Sequence, residues 1–391
     1  MSLQRFFADL HIHIGRTRTG KAVKITGSRT LTLSNILQAA KQPKGLDIVG
    51  VIDCHSPEVI LELKTLVDTG DLVPLTAGGF RYQDKVTLIP GVEVEVNDAH
   101  CLGPIHVLGY FPTLEALVAF SRWYAAKVSN LHLSTQRIRA SASELQEKVK
   151  ALSGMFIPAH VFTPFKSLYG KGVHRSLTEV LDPDLIDAVE LGLSSDTSMA
   201  DRIGELHRYT FTTNSDAHSL AKIAREYQAL QLKAPDFDSV LQAFHGCGDQ
   251  KVLANYGLNP LLGKYYTTTC AKCRMPAGEE RCLHCGSTQK VKGVSERITE
   301  LADAVPLATR PPYIHQVPLE FLPGLGPKTM AGLLDHFGTE MDILHRVPAA
   351  ALAEVVKPEL ADMIVKAREG TLQLESGGGG KYGRVKNGQM G

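Results

Sequence analysis

The sequence predicts an α/β fold in which seven β-strands form a barrel and two smaller domains follow it. Seven apolar runs typical of strands occur between residues 6 and 218, and most are separated by stretches typical of helices. Nearly all of these runs carry a His, Asp or Glu at or near the C-terminal end. Strands that alternate with helices favour a parallel sheet, whose functional groups gather beyond the carboxyl ends of the strands. We therefore expect a closed or nearly closed β/α barrel with one polar, metal-binding mouth.

The composition sets the limits of this prediction. The chain has 391 residues, is 43% hydrophobic and carries a formal net charge of +1, so it is long enough for two to four domains and has no overall excess of positive charge. Charges or prolines interrupt every apolar run before 18 residues, and the N-terminus lacks a secretory h-region. We expect a cytoplasmic protein with no membrane partner.

The first predicted strand, FFADLHIH at residues 6–13, carries a pattern typical of metal sites. Side chains alternate faces along a strand, so His11 and His13 point the same way, together with Asp9. Two imidazoles on one face can bind one cation. Two histidines satisfied at a sheet edge are the alternative, and the pair alone does not decide between them.

The later runs repeat the pattern. Their metal-capable side chains are Asp53 and His55 in IVGVIDCH, Glu93 and Glu95 in VTLIPGVEVEV, His106 in PIHVLGYF, His160 in GMFIPAH, Glu190 in LIDAVELG, and Asp216 and His218 in YTFTTNSDAH. Singly, His106 fits a core residue, Asp53 a turn residue and Glu190 the partner of an arginine. Recurrence in seven runs favours a shared site. Asp196 follows the sixth run, where helix capping and catalysis are equally good explanations.

The segments between the runs add helices and charge. Helical stretches are expected at about residues 33–41, 114–128 and 141–153. The segment 11–46 holds seven basic residues and no acidic one, namely Arg16, Arg18, Lys21, Lys24, Arg29, Lys41 and Lys44. Beside a metal site such a run would attract a polyanion, whereas taken alone it fits a solvated basic loop equally well.

The order of the motifs carries a family resemblance. The motifs are His11-x-His13, Asp53-x-His55, Gly91-Val-Glu93, His106, Pro158-Ala-His160 and Ser215-Asp216-Ala-His218. In this order they resemble the PHP (polymerase and histidinol phosphatase) phosphoesterases over roughly residues 1–230. The resemblance implies a distorted (β/α)7 PHP barrel, which we place at residues 1–262, with two or three divalent metals. Zinc is the first choice for these ions, with manganese or magnesium as alternatives.

The family's ligands can be carried over to matching positions. One metal would be bound by His11, His13, Glu93 and Asp216, a second by His55 and His218, and a third by Glu93, His106 and His160. The chain departs from the family pattern at residues 15–18, Gly-Arg-Thr-Arg, where an Asp or His usually follows the first pair. Cys54 separates the usually adjacent Asp and His of the second motif, which leaves open whether Asp53 or His55 is the ligand.

This ligand set implies phosphoester hydrolysis. Paired divalent cations lower the pKa of a bound water and stabilise the attacking and leaving oxygens of an in-line displacement at phosphorus. We expect attack by a metal-bound hydroxide, with Glu93 as a bridging ligand and Asp216 and His218 completing the site. Asp196 is a further catalytic candidate.

The loop after His160, VFTPFKSLYGKGVHR, carries candidate DNA contacts. Lys171 and Arg175 fit phosphate binding, because the neighbouring glycines would let the loop approach a DNA backbone closely. The alternative is that Phe165 and Tyr169 anchor this loop on the barrel.

Four cysteines form a cluster behind the barrel, at Cys270, Cys273, Cys282 and Cys285. Two Cys-x-x-Cys pairs this close together indicate a structural zinc, whose binding would fold a segment that has no core of its own. We assign residues 263–290 to this four-cysteine zinc-binding domain. Residues 291–316 are predicted to be a linker helix followed by a proline-rich linker.

Residues 317–371 resemble a helix-hairpin-helix domain. The hairpin LPGLGPK holds Gly324 and Gly326, whose backbone amides at a helix N-terminus would bind phosphate, and Lys328 adds a charge. A plain helical hairpin is the alternative. The glycine-rich residues 372–391 are predicted to be a disordered tail.

The combination of domains indicates a nuclease, since a small-molecule phosphatase has no use for two additional DNA-binding domains. Over essentially the whole chain the architecture resembles the endonuclease Q family of PHP-type repair enzymes. The resemblance implies cleavage on the 5′ side of deaminated bases (hypoxanthine, uracil and xanthine) and abasic sites, leaving 3′-hydroxyl and 5′-phosphate ends. Its partners would be double- and single-stranded DNA carrying damaged bases, at the nucleoid, and a sliding-clamp contact is left open. The alternatives are a phosphatase of the histidinol phosphatase type and a non-catalytic DNA-binding PHP protein.

Overall fold

The computed structural model describes residues 2–277, 280–375 and 384–385. The described strands are β1 (Gln4–Ile12), β2 (Ile48–Val51), β3 (Leu72–Pro74), β4 (Phe80–Tyr82), β5 (Val86–Val96), β6 (Ile105–Tyr110), β7 (Met155–Pro158), β8 (Val189–Glu190), β9 (Phe211–Thr212), β10 (Tyr227–Leu232), β11 (Lys251–Gly257), β12 (Thr269–Cys270), β13 (Lys290–Val291), β14 (Tyr313–His315), β15 (Leu374–Glu375) and β16 (Arg384–Val385).

The described α-helices are α1 (Leu33–Ala39), α2 (Pro57–Asp68), α3 (Leu114–Ala125), α4 (Ala142–Ala151), α5 (Thr197–Ala200), α6 (Phe237–Phe244), α7 (Val294–Leu301), α8 (Pro327–Phe337), α9 (Glu340–His345), α10 (Ala349–Val355) and α11 (Pro358–Glu369). Side chains of Thr32, Thr113 and Ser141 cap α1, α3 and α4, so these three predicted helices begin at polar residues that satisfy a backbone amide of the first turn. None of the helices in the described part of the chain is both long and apolar enough to cross a bilayer.

The seven predicted strand runs form a ring. β1 lies parallel to β2 and β2 to β5, β6 lies antiparallel to both β5 and β7, and β8 lies parallel to β9. Backbone hydrogen bonds from Asp187 to Phe156 and from Val161 to Glu190 link β7 to β8. Reciprocal bonds of Ala217 with His11 and His13 link the segment after β9 back to β1. The predicted nearly closed barrel is therefore present.

The expectation of parallel strands throughout is wrong for β6. Only residues 97–104 connect β5 to β6, which is too short for a parallel crossover, so β6 reverses direction. His106 lies near the start of this reversed strand. It therefore faces the same barrel mouth as the residues at the carboxyl ends of the other strands.

Further strands extend the sheet on both sides of the ring. β10 pairs with β1, β11 with β10 and β14 with β11, while β4 pairs with β5 and β3 with β4. The side chains of β1 from Phe7 to Ile12 are all buried, because the strand is covered on both faces. The barrel wall around the mouth is thus rigidly packed.

Residues 291–316 are docked on the barrel, in contrast to the linker that the sequence predicts. The Arg297 guanidinium of α7 donates to the carbonyl oxygens of Tyr169 and His174 at 2.8 and 2.7 Å. Arg310 donates to Asp201 at 2.7 Å, and the segment continues into β14 of the main sheet. Arginine side chains that bind carbonyl and carboxylate oxygens of residues 169–201 hold this segment in place.

The C-terminal helices also contact the barrel. His345 of α9 stacks on Phe7 at 4.3 Å between ring centroids and lies 2.7 Å from the Tyr227 hydroxyl. Lys44 and Glu340 form a 3.0 Å ion pair at the same contact. Most of the tail predicted to be disordered, residues 372–391, lies outside the described residues. Where it is described, β15 pairs with β16, so the prediction of disorder is wrong at those positions.

Candidate metal centre

The barrel mouth brings together potential ligands from five of the six sequence motifs. Three groups have ligand atoms within 4.8 Å of one another, and they are His11, His13 and Glu93, then His13, Asp216 and His218, then Glu93, His106 and His160. They come from the ends of β1 and β5, the start of β6 and the segments after β7 and β9. Of the predicted barrel ligands, the structure thus gathers all except His55.

The first ligand set combines two histidines with two carboxylates. Asp216 Oδ1 lies 3.6 Å from His11 Nε2 and 3.4 Å from His13 Nε2, and the Glu93 carboxylate lies 3.7 and 3.6 Å from the same nitrogens. Two ligands that share a tetrahedral ion at about 2.1 Å lie roughly 3.4 Å apart, so these spacings fit one cation. The buried Nε2 atoms of both histidines have no hydrogen-bond partner within the described residues. An orphaned donor set of this kind fits a bound metal.

The second ligand set shares Glu93 with the first. Its Oε1 lies 3.0 Å from His106 Nδ1 and 3.3 Å from His160 Nε2. Burial raises the pKa of Glu93, but His106, Lys24 and His160 outweigh burial and hold the pKa well below its usual value. Oε1 of Glu93 lies near His11, His106 and His160, and its Oε2 lies near His13. An ionised Glu93 between the two histidine pairs can bridge two ions.

Two further carboxylates orient the first histidine pair. Glu190 lies 3.0 Å from His11 Nδ1, and Asp53 lies 2.8 Å from His13 Nδ1. A carboxylate at Nδ1 fixes the tautomer that leaves Nε2 for a metal. Burial lowers the pKa of His11, yet attraction by Glu190 raises it to about 10, and attraction by His13 overcomes burial and lowers that of Asp53 to about 2. The sequence placed Glu190 and Asp53 at the site but did not predict this orienting role.

Backbone conformation supports the same site. Asp53, His160 and Asp216 have φ values of 72°, 31° and 44°, in the left-handed region that non-glycine residues rarely adopt. Such strain persists only where the surrounding structure enforces it, and it is concentrated at functional sites. Three residues in or next to the ligand sets share this feature.

Three expected roles are corrected by the structure. The fully buried His55 lies edge-on against Tyr124 at 5.2 Å, outside the metal-capable groups that the described residues form. The Cys54 insertion accounts for this, because it moves the imidazole one position along the chain while Asp53 reaches the site. Asp196 caps α5 by accepting from the Met199 amide at 2.9 Å and pairs with His315 at 3.0 Å, so it is a capping residue. Asp9 accepts from the Ser215 and Ala224 amides and is likewise structural.

Lys24 and Thr135 are site residues that the motifs did not reveal. Lys24 Nζ lies 3.2 Å from Glu93 Oε2 and donates to Thr135 Oγ1 at 2.8 Å, and the Thr135 hydroxyl donates to Glu93 Oε2 at 2.5 Å. Burial lowers the pKa of Lys24, but attraction by Glu93 and Asp53 raises it overall. The basic run at residues 11–46 was the signal in the sequence, although it did not single out Lys24.

Comparison with known proteins shows which family the chain belongs to. No family model matches the chain. The uncharacterised protein YqxK of Bacillus subtilis (strain 168) is 54% identical over 387 residues, which are 98% of this chain and 100% of YqxK. The lesion-specific endonuclease PfuEndoQ of Pyrococcus furiosus is 31% identical and matches with a TM-score of 0.84, over 99% of this chain and 96% of its own. The chain belongs to the endonuclease Q family.

A second endonuclease Q structure agrees with this assignment. It is a complex with a 27-mer duplex substrate that has an abasic lesion at the active site, and it matches with a TM-score of 0.83 and 31% identity over 99% of this chain and 97% of its own. Membership of the endonuclease Q family confirms the predicted fold class, and it confirms the prediction that the protein is an enzyme. The uncharacterised protein MJ0043 of Methanocaldococcus jannaschii is 34% identical over 255 residues, which are 57% of this chain and 31% of MJ0043.

The cysteine cluster of this endonuclease Q member has the geometry of a metal site. Cys270, Cys273, Cys282 and Cys285 bring their sulfurs within 4.8 Å of one another, with the first and last 3.5 Å apart and the middle pair 3.4 Å apart. Sulfurs that share a zinc at about 2.3 Å lie roughly 3.8 Å apart, so modest relaxation would accommodate the ion. Backbone amides, first of all that of Cys273, lower the pKa of the Cys270 thiol to about 6, which favours the thiolate.

The predicted DNA contacts of this endonuclease Q member lie at the surface. Lys171, Arg175, Gly324, Gly326 and Lys328 are all exposed. Gly324 has a φ of +84°, and Gly326 is the N-cap of α8. The helix expected before this hairpin is only a 3₁₀ turn at Leu319–Phe321.

The loop after β7 is anchored by Tyr169, as the alternative interpretation predicts, whereas Phe165, the other expected anchor, is 48% exposed. Tyr169 is buried and stacks on Phe162 at 5.4 Å, while a Cβ at Gly170 would lie 2.0 Å from the Thr163 carbonyl oxygen. Gly170 therefore allows close packing within the loop itself. The aromatic side chains of Phe80, Tyr82, Phe162 and Tyr169 are all buried, so they cannot stack on a damaged base without rearrangement.

Proposed function

We propose that this endonuclease hydrolyses the DNA phosphodiester on the 5′ side of deaminated bases and of abasic sites, leaving 3′-hydroxyl and 5′-phosphate ends. The observation that carries the proposal is the convergence of two ligand sets on Glu93 in a chain that matches endonuclease Q over nearly its full length. The matched complex with an abasic duplex supports DNA as the substrate. A DNA substrate would place the enzyme at the nucleoid.

The ligand sets suit divalent cations of the zinc or manganese type. Histidines mixed with carboxylates favour borderline ions over calcium, and magnesium remains an alternative that activity measurements would reveal. Divalent cations at such a site activate water and neutralise the charge that develops in an in-line displacement at phosphorus. His11, His13 and Asp216 would hold one ion and His106 and His160 the other, with Glu93 between them.

The surrounding residues prepare this site for a phosphate. Glu190 and Asp53 keep the two imidazoles in the orientation that directs Nε2 into the centre. Lys24 adds a fixed positive charge at the edge of the ligand sets. Because these groups are buried and positioned before substrate arrives, little reorganisation is needed when charge develops on the phosphate.

Substrate recognition would use the exposed basic groups and the hairpin. Phosphate contacts by Lys171, Arg175 and Lys328 would position the strand without reading its sequence. Lesion choice would follow from moving the damaged nucleotide out of the stack, which costs a few kcal/mol and less at a mismatch or abasic site. This accounts for selection of several chemically different lesions by one site.

The direct test is nick mapping with the full-length protein. End-labelled duplexes and single strands carrying one hypoxanthine, uracil, xanthine or abasic site are incubated with Zn²⁺, Mn²⁺ or Mg²⁺, alongside undamaged strands of the same sequence. We expect a single nick 5′ to the lesion with a ligatable 3′-hydroxyl. Equal cutting of the undamaged duplex, or hydrolysis of p-nitrophenyl phosphate without DNA cleavage, would contradict the proposal.

A matched pair of variants ties the cleavage to the centre. Asp216→Asn removes a carboxylate of the first ligand set, and we expect the cleavage rate to fall by at least about 100-fold while DNA binding is retained. Asp196→Asn changes a carboxylate that caps α5, so the nick should be unchanged. Nicking by Asp216→Asn at the wild-type rate would show that the cleavage arises elsewhere.

A further inference from the structure

The ammonium group of Lys24 lies among metal-capable side chains. The Lys24 side chain is 16% exposed, and its Nζ contacts Glu93 Oε2 at 3.2 Å and Thr135 Oγ1 at 2.8 Å. The carboxylates of Asp53 and Asp216 also act on it electrostatically. A lysine at this position places one fixed positive charge at the edge of the ligand sets.

The three ligand groups at the barrel mouth provide only two independent sets. The group of His13, Asp216 and His218 shares its first two members with the set that includes His11 and Glu93. A third ion would thus have His218 as the one ligand of its own. His55, the expected partner of His218, packs against Tyr124 instead. The described side chains therefore support two ions well and a third poorly.

The charges of the side chains around the centre also favour two metal ions. Five carboxylates lie around the centre, but Glu95, 3.7 Å from His106 Nε2, already pairs with Arg137 and Lys166. The other four are Glu93, Asp216, Glu190 and Asp53. Two divalent ions balance these four negative charges, and the Lys24 ammonium then leaves a net positive charge for an incoming phosphate. A third divalent ion beside the ammonium would be repelled by it, with few ligands to compensate.

We propose that the Lys24 ammonium takes the place of a third metal ion, so that the barrel binds two divalent ions and Lys24 donates to a non-bridging oxygen of the scissile phosphate. The phosphate contact rests on the proposed function, whereas the ion count does not. As a donor fixed by Glu93 and Thr135, Lys24 would stabilise the charge that builds on the phosphate oxygens.

The ion count is the first test. The full-length protein is saturated with Zn²⁺ or Mn²⁺, freed of excess metal by gel filtration and analysed by plasma mass spectrometry. We expect three ions per chain, two in the barrel and one at the cysteines. Four ions per chain in the wild type would overturn the proposal. Because no DNA is present, this result holds whether or not the nuclease assignment is correct.

Substitution of Lys24 is the second test, with metal content measured in parallel. For Lys24→Met we expect the same ion count and a kcat for lesion cleavage lower by about 100-fold, with little change in KM. Lys24→Arg, which keeps the charge, should recover part of the rate. Lys127→Met is the matched control, since Lys127 is similarly enclosed, pairs with Glu144 at 2.6 Å and lies away from the ligand sets.

The possible results distinguish failure of the Lys24 proposal from failure of the proposed function. Wild-type kcat in Lys24→Met would overturn the phosphate contact, as would an equal loss of rate in Lys127→Met. A wild type that binds three ions but cuts none of the damaged strands would refute the proposed function and leave the ion count of the Lys24 proposal standing.

Discussion

At the scale of single residues, the centre depends on carboxylates that contact no metal position themselves. Glu190 binds His11 Nδ1 and also accepts from the His160 amide and the Asn214 side chain, at 2.9 and 2.8 Å. One buried carboxylate thereby fixes an imidazole, the backbone after β7 and an amide beside β9. Glu190 is a partner of histidine, so the sequence-based alternative of an arginine partner is wrong.

Glu226 is a second buried carboxylate, with the opposite electrostatic character. Its Oε1 accepts from the Leu258 amide at 2.8 Å, and its Oε2 is buried without a hydrogen-bond partner in the described structure. Burial raises the pKa of Glu226 to about 8, with Glu190 and Asp9 adding to the rise and Arg225 opposing it. The folded protein therefore holds a proton here that the unfolded chain releases near pH 4.5.

This proton predicts a pH-dependent stability. Between about pH 4.5 and 8 the folded state binds one more proton at Glu226 than the unfolded state, so stability falls as pH rises, by about 1.4 kcal/mol per pH unit. Glu226→Gln removes this titration. We expect the melting temperature of the variant, relative to wild type, to increase from about pH 5 to 8 and to level off above about pH 8. A difference in melting temperature that stays constant across this range would show that Glu226 is ionised in the fold.

At the scale of elements, the sequence predicts the strands better than their directions. Apolar runs ending in His, Asp or Glu identify all seven ring strands, because each strand is buried along its length and polar only at the mouth. The reversal of β6 depends on a short connection, residues 97–104, which the alternating pattern of strands and helices does not reveal. His106 was still found, since a residue at the start of a reversed strand faces the same mouth.

The missed site residues share a physical reason. Lys24 and Thr135 lie in segments without regular periodicity, and long-range packing alone brings them to Glu93. His55 was misplaced because the sequence shows the spacing of the motif but not the turn at Asp53, where φ is 72°. Motif order therefore predicts which strands supply ligands, whereas tertiary contacts decide which atoms meet.

The four-cysteine element has little besides its thiols to hold it together. β12 and β13 pair over only two residues each. A structural zinc supplies about 10–16 kcal/mol in small metal-binding peptides, far more than such a short pairing. We therefore expect the element to depend on its metal for folding.

Cys282→Ser tests this dependence. We expect the variant to lose one ion per chain and to become sensitive to limited proteolysis within residues 263–290, while the barrel keeps its ions. Cys247→Ser, which changes an exposed cysteine outside the cluster, should behave like wild type. If Cys282→Ser resists the protease as well as Cys247→Ser does, metal binding is not what folds this element.

At the scale of the whole molecule, the C-terminal helices are fixed relative to the barrel mouth. His345 is enclosed by the rings of Phe7, Tyr227 and Tyr256, and burial lowers its pKa to about 4, so it is neutral in this contact. The Lys44–Glu340 pair lies beside it, and Lys222 pairs with Glu320 at 2.7 Å close to the hairpin. If the hairpin binds DNA as proposed, this attachment would hold the duplex at a constant distance from the metal centre.

Substitution of Lys328 tests the proposed contact between the hairpin and DNA. It is exposed at the start of α8, next to the open glycine turn, where a phosphate would meet both the helix N-terminus and the ammonium. We expect Lys328→Ala to weaken binding of damaged and undamaged duplexes alike and to reduce the slope of log K against log salt by about one. Fluorescence anisotropy over a salt series measures both effects. Lys366→Ala is the control, because Lys366 is an exposed lysine of α11 paired with Asp362 at 2.7 Å. A slope that stays at the wild-type value in Lys328→Ala, or falls equally in Lys366→Ala, would mean that the hairpin does not hold DNA through this lysine.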